Sequence, residues 1–168
     1  LKRYPQAQVY ALDFSSPMLC QGLKKIPESL KEKIHPICGD GLTPPFCDQQ
    51  FDVIFCGYGF RNFDDPEKGL IEIKRLLKPG GQLLILDFFR PKNFLAKLFY
   101  QTYGKMVIPA IGRMISKNHE AYQYLHDSIQ QFYTLDECKK ILEKQGFNYI
   151  YTKNYLKGIS SLITGEKK

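Results

Sequence analysis

Two kinds of hydrophobic pattern run along this chain: short apolar runs without alternation, and longer stretches with apolar positions at helical spacing. Val9 to Leu12 is a continuous apolar run, which predicts a strand buried on both faces of a parallel sheet. Ser15 or Ser16 can cap the following helix, with Pro17 at its first position. That helix extends to about Leu30, and Pro27 interrupts it. "KIHPICGD" and "FDVIFCG" read as the second and third strands. Asp65 caps the next helix with Pro66 in its first turn, Leu70, Ile73, Leu76 and Leu77 form its apolar stripe, and "KPGG" ends it. "QLLILDFF", again without alternation, predicts a fourth, two-sided strand. Between Lys92 and Tyr133 the pattern loosens into helices broken near Pro109 and Gly112. "TLDECKKILEKQGF" is a helix capped by Thr134 and closed by Gly146. "NYIYTKNYL" and "ISSLITGEK" alternate as antiparallel strands do, joined at Lys157-Gly158. Strands and helices in turn, with a terminal antiparallel pair, predict an α/β doubly wound sheet.

Composition narrows this picture. The 168 residues suit one domain with a real core, and 43% hydrophobic with 24% charged residues describes an ordinary globular protein. No stretch is apolar and long enough to span a bilayer. The five cysteines and three histidines are scattered, without a C-x-x-C pair, so neither a disulfide framework nor a metal site is expected and a reducing compartment is. The net charge is +7, and its placement matters more than its size. Between Phe88 and Asn118 there is no Asp or Glu, yet Arg90, Lys92, Lys97, Lys105, Arg113 and Lys117 all fall there. They are interleaved with Phe94, Leu95, Leu98, Phe99, Met106, Val107 and Ile108. This suits a membrane surface better than a nucleic-acid backbone.

Candidate chemistry lies at the strand ends. Asp13 follows the first strand, at the edge where open α/β sheets bind ligands. There it can grip the ribose hydroxyls of an adenosyl cofactor or merely serve a helix start. Asp40-Gly41 follows the second strand and can face an adenine amino group or form an ordinary turn. Gly57 and Gly59 flank Tyr58 after the third strand and allow close backbone approach to a ligand. Arg61 is a permanent cation with a planar fork of donors, suited to developing negative charge on a phenolate oxygen. Its alternative is a salt bridge to Asp64 or Asp65, with Asn62 shaping a turn. The aromatics Tyr122, Tyr124, Phe132 and Tyr133 read first as packing.

Together, "LDFSSPML", "GDGLTPPFCDQQFD" and "RLLKPGGQLLILDF" resemble class I S-adenosylmethionine-dependent methyltransferases. "GYGFRNFDDPEKGLIEIKRLLKPGG", the stretch from "YQTYGKM" through "AYQYLHDSIQQFYTLDECKKILEKQGF", and "LKGISSLITGEK" resemble the ubiquinone/menaquinone biosynthesis C-methyltransferase family over essentially the whole chain. Two departures stand out: "DFFRP" where the family usually has "EFSKP", and Gly57 where members can carry a serine that touches the cofactor. The resemblance implies a Rossmann-like methyltransferase fold, S-adenosylmethionine as cofactor, and methylation of a ring carbon of a polyprenyl hydroquinone. It makes Arg61 and Asn62 catalytic, with Asp13, Asp40, Gly41 and Gly57 holding the cofactor. Tyr58, Phe60, Tyr122 and Tyr124 would line the acceptor site. It further implies that the family's first, central strand and its Gly-rich loop are missing, with roughly eighty residues absent ahead of Leu1. Residues 92–133 become a helical, substrate- and membrane-facing insertion within one domain. A cytoplasmic protein at the membrane surface, free or as a homodimer, is the expected setting. A related methyltransferase acting on another small acceptor, and an inactive truncated member, are the alternatives.

Overall fold

The computed structural model describes residues 4–92, 119–155 and 160–168, apart from the side chains of residues 119–122. They belong to two compact units, Leu1–Cys47 and Asp48–Lys168.

In the first unit β1 (Val9–Asp13) pairs in parallel with β2 (Ile34–Cys38), Val9 opposite Ile34 and Asp13 opposite Cys38. The crossover holds α1 (Ser16–Lys24) and the single turn α2 (Glu28–Lys31). Ser15 caps α1, its hydroxyl accepting from the Met18 N–H at 3.4 Å. Pro27 stands between the helices, because its ring leaves no N–H to continue the ladder. The expectation of a strand buried on both faces does not hold here, since Val9 and Tyr10 remain 39% and 41% exposed. Ala11 and Asp13 border a hollow of about 200 Å³ against Leu19 and Leu23 of α1. Tyr10, on the other face, packs on His35 and Phe46 at ring distances of 4.9 and 5.8 Å.

In the second unit β3 (Phe51–Gly57) leads through a 3-10 turn (Phe60–Asn62) into α3 (Pro66–Leu76) and β4 (Leu77–Asp87). After them come α4 (His119–Gln131), α5 (Leu135–Lys144), β5 (Phe147–Tyr155) and β6 (Ser160–Lys167). The sheet order is β3-β4-β6-β5, with β3 parallel to β4 and the other pairings antiparallel. The terminal antiparallel pair is present, with β6 between β4 and β5. Apart from α4, the broken helices expected between Lys92 and Tyr133 fall on residues 93–118, and the Lys157-Gly158 turn on 156–159. Both lie outside the described residues.

The predicted caps are in place. The Asp65 carboxylate accepts from the Lys68 N–H at 3.0 Å. Thr134 and Glu137 exchange side-chain-to-backbone bonds of 3.2 and 2.7 Å, a reciprocal box that satisfies two orphan donors. The end of α3 differs from the sequence expectation: Leu77 is not in the helix stripe but already extended opposite Phe51. "KPGG" then bends β4, with Gly80 at φ +73.

The core joins Leu70 and Ile73 of α3, Leu83 and Ile85 of β4, Cys138 and Leu142 of α5, Phe147 and Ile163. Along β4, Gly81, Leu83, Ile85 and Asp87 are buried, while Leu84 and Leu86 are half-buried. The strand is therefore one-sided in its deepest burial. Its period of two carries Asp87 onto the same face as the core leucines.

Candidate active site

The chain leaves β3 at Gly57 and turns sharply. Tyr58 takes a left-handed φ of +58, a conformation that costs a non-glycine residue about 1 kcal/mol or more and needs fixing from outside. The fixing is visible: its N–H donates to the Leu86 carbonyl at 2.8 Å, its hydroxyl lies 3.4 Å from Ser160 Oγ, and its ring packs on Phe88 at 4.9 Å. Phe60 is fully buried, edge-on to Phe132 at 5.8 Å and tilted against Phe63 at 5.4 Å. This anchors the 3-10 turn and orients the next two residues.

Arg61 does not point into solvent. Its side chain is 9% exposed and pairs with Asp87, which is 0% exposed, at 2.9 Å. The other carboxylate oxygen of Asp87 accepts from the Arg61 backbone N–H at 3.0 Å. The Phe88 N–H also donates to Asp87, at 2.8 Å. Arg61 Nη1 further donates to the Tyr58 carbonyl, and Nε donates to Ser128 Oγ at 3.3 Å. The Ser128 hydroxyl spends its own proton on the Leu125 carbonyl at 3.0 Å, so a lone pair is what it offers to Nε. The guanidinium lies over the Phe88 ring, 5.5 Å from its centre, a favourable cation–π contact. Asn62 Oδ1 accepts from Tyr124 OH at 3.0 Å. Tyr124 and Ser128 are four residues apart on α4 and so share one face of it.

Burial, with the negative charge of Asp87 as the second cause, pushes the nearby Cys56 thiol up to about 12. A thiol held protonated in this way is a poor nucleophile.

In the first unit, the Asp13 carboxylate accepts from the Ser15 N–H at 2.8 Å, and that of Asp40 from the Leu42 N–H at 2.8 Å. Each uses one oxygen locally and keeps a second with no partner among the described residues.

The structure thus brings Arg61, Asn62, Tyr58 and Tyr124 together. Neither Asp64 nor Asp65 pairs with Arg61; Asp65 is the helix cap, and the partner is Asp87. Phe60 lies behind the turn as a core residue with no open surface of its own. Gly57 ends β3, where an added Cβ would come within 2.9 Å of the Phe55 ring. Tyr122 lies in α4, and its side chain is outside the described part. Asp87 enters the sequence reading as the first residue of the "DFFRP" departure, with no role given to it, and Ser128 only within the "AYQYLHDSIQQFYTLDECKKILEKQGF" resemblance, likewise with none. The available signal for Asp87 was a lone carboxylate closing an apolar strand, at the position where period two puts it inward. Ser128 carried no signal beyond helical spacing from Tyr124.

Known proteins share both sequence and fold with this chain. The ubiE/COQ5 methyltransferase family matches residues 2–167. A demethylmenaquinone methyltransferase of Bacteroides fragilis is 37% identical over 161 residues, covering 95% of this chain and 66% of that protein. A ubiquinone/menaquinone biosynthesis C-methyltransferase of Ruegeria is 37% identical over 169 residues, covering 99% and 67%. The chain thus spans about two-thirds of the length of these curated relatives. Solved S-adenosylmethionine-dependent methyltransferases from Thermotoga maritima and Aquifex aeolicus superpose with TM-scores of 0.65 and 0.63 at 20% and 19% identity. They cover 95% and 96% of this chain, and 73% and 69% of their own lengths. The fold is accordingly the Rossmann-like one of class I methyltransferases, and by its sequence the chain belongs to the ubiE/COQ5 methyltransferase family.

Proposed function

We propose that the protein takes part in S-adenosylmethionine-dependent methylation of a ring carbon of a polyprenyl hydroquinone, converting demethylmenaquinol to menaquinol or methylating the corresponding ubiquinone precursor. The observation that carries this reading is the guanidinium of Arg61, held at 9% exposure beside Asn62 on the turn after β3. Family membership and the names of the relatives support the acceptor class.

An aromatic carbon attacks weakly until a ring hydroxyl loses its proton and pushes charge into the ring. Arg61, a fixed cation in a water-poor setting, stabilises that oxygen as it becomes anionic. The phenolic proton leaves to water, because a guanidinium has none of its basicity to spare near neutral pH. Asn62, its amide oriented by Tyr124, adds a second donor. Tyr58 and Tyr124, 42% and 58% exposed, supply aromatic surface for the quinol ring, with Tyr122 assigned to the same role. Phe60 contributes from behind by packing the turn.

The residues present also fit the cofactor. Within the first unit, Asp13 and Asp40 each retain a carboxylate oxygen able to accept from a ribose hydroxyl or an adenine amino group, and Asp40-Gly41 forms a tight turn. S-adenosylmethionine supplies an electrophilic methyl on a sulfonium. The basic, apolar stretch from Phe88 to Asn118 is assigned to the membrane surface that holds a prenylated acceptor. Among the described residues no helix is long and apolar enough to cross a membrane. A peripheral protein on the cytoplasmic side, as monomer or homodimer, is the setting we assign.

The test is transfer of a labelled methyl group to demethylmenaquinol by the complete gene product and its Arg61→Lys variant. Lysine keeps the charge opposite Asp87 but loses the planar fork. The expected result is a fall in turnover of about 100-fold or more, with cofactor affinity unchanged by calorimetry. Turnover within a few-fold of the unaltered protein would remove Arg61 from the chemistry.

A further inference from the structure

We infer that Asp87 is a positioning residue that, with Ser128, leaves Nη2 as the single working edge of Arg61. The inference rests on the functional reading above. One buried carboxylate grips Arg61 twice, at the backbone N–H and at Nη1, 3.0 and 2.9 Å away. It therefore fixes the turn and the side-chain rotamer together. A guanidinium has five N–H donors. Two on Nη1 go to Asp87 and the Tyr58 carbonyl, and the one on Nε goes to Ser128. The two on Nη2 have no partner among the described residues. A cation clamped in this way is a directed donor, aimed along Nη2. Asp87 itself cannot swing away, being fully buried on the core face of β4 and held by the Phe88 N–H. Its effect on an acceptor is exerted through Arg61 alone.

The test compares Asp87→Asn, Asp87→Glu and Ser128→Ala in the complete gene product. The steady-state readout is methyl transfer to demethylmenaquinol, and the second is hydrogen exchange at the Arg61 Nε–H by nitrogen-15 NMR. Asp87→Asn is expected to lower kcat about 100-fold with the KM for S-adenosylmethionine unchanged, and to speed Nε–H exchange. Restoring the charge in Asp87→Glu should recover at least about tenfold of that loss, and Ser128→Ala should cost about tenfold. Equal losses in Asp87→Asn and Asp87→Glu, or kcat within twofold in Asp87→Asn, would overturn the inference. If Asp87→Asn does not fold, Ser128→Ala decides: unchanged kcat and unchanged exchange reject the clamp. Absence of methyl transfer by the unaltered protein would defeat the functional reading instead, while the exchange data would still decide whether Asp87 and Ser128 hold the guanidinium.

Discussion

The Arg61–Asp87 pair shows what a single buried contact can and cannot contribute. Both side chains are almost withdrawn from water, so much of their mutual attraction offsets the cost of stripping off hydration. Removing one partner leaves the other charged and unsatisfied. Asp87→Leu should therefore destabilise the fold by about 3–5 kcal/mol, and the double variant Arg61→Met with Asp87→Leu should recover most of that loss. Urea denaturation of the two singles and the double closes the cycle, and strictly additive losses would show that the pair is not coupled. Arg61 stood out in the sequence because a permanent cation between two structured elements needs a reason. Its partner did not, because sequence proximity favoured Asp64 and Asp65. Asp87 is 26 positions away and arrives only when β3 and β4 align, with Gly57 opposite Leu86. The left-handed backbone of Tyr58 was equally hidden, since tyrosine carries no local preference for it.

Local chemistry makes an element's beginning readable and its end less so. Ser15, Asp65 and Thr134 cap their helices where the sequence indicates, because a cap is a side chain bonding to an N–H two or three residues on. The end of α3 is set otherwise: Leu77 leaves the helix because β4 needs it opposite Phe51. The bend that follows depends on two glycines for different reasons. Gly80 has a positive φ, so alanine there pays a backbone strain of about 1 kcal/mol. At Gly81 an added Cβ would lie 2.8 Å from the Lys78 carbonyl oxygen and 3.2 Å from that of Asp52. Both obstacles are backbone, so Gly81→Ala should lose about 2 kcal/mol or more, well above Gly80→Ala. Thermal melting of the two variants should rank them in that order, and the reverse order would contradict this account of the bend.

Over the whole molecule, the alternation of strands and helices was legible and the depth of burial was not. Continuous apolar runs predicted two-sided strands, yet Val9 and Tyr10 of β1 are 39% and 41% exposed, because periodicity reports composition and not what covers each face. The cysteines give a global test. Cys20, Cys38 and Cys47 are exposed, while Cys138, like Cys56, is pushed up to about 12, mainly by burial. Three thiols should react quickly with a disulfide reagent in the native state, and the last two only on unfolding. The unfolded chain releases those two protons near the ordinary value of 9.0, while the folded one holds them to about 12. Native protein then binds more protons across that interval, so stability should fall as pH rises from about 9 to 12. A denaturation midpoint flat over that range would contradict the assignment. The sheet order has a consequence of its own. Because β6 sits between β4 and β5, a ribosome must synthesise and release the chain through Lys167 before either neighbour gains its companion. Until then the edges of β4 and β5 that β6 will cover stay open, which gives chaperones a reason to attend the nascent polypeptide.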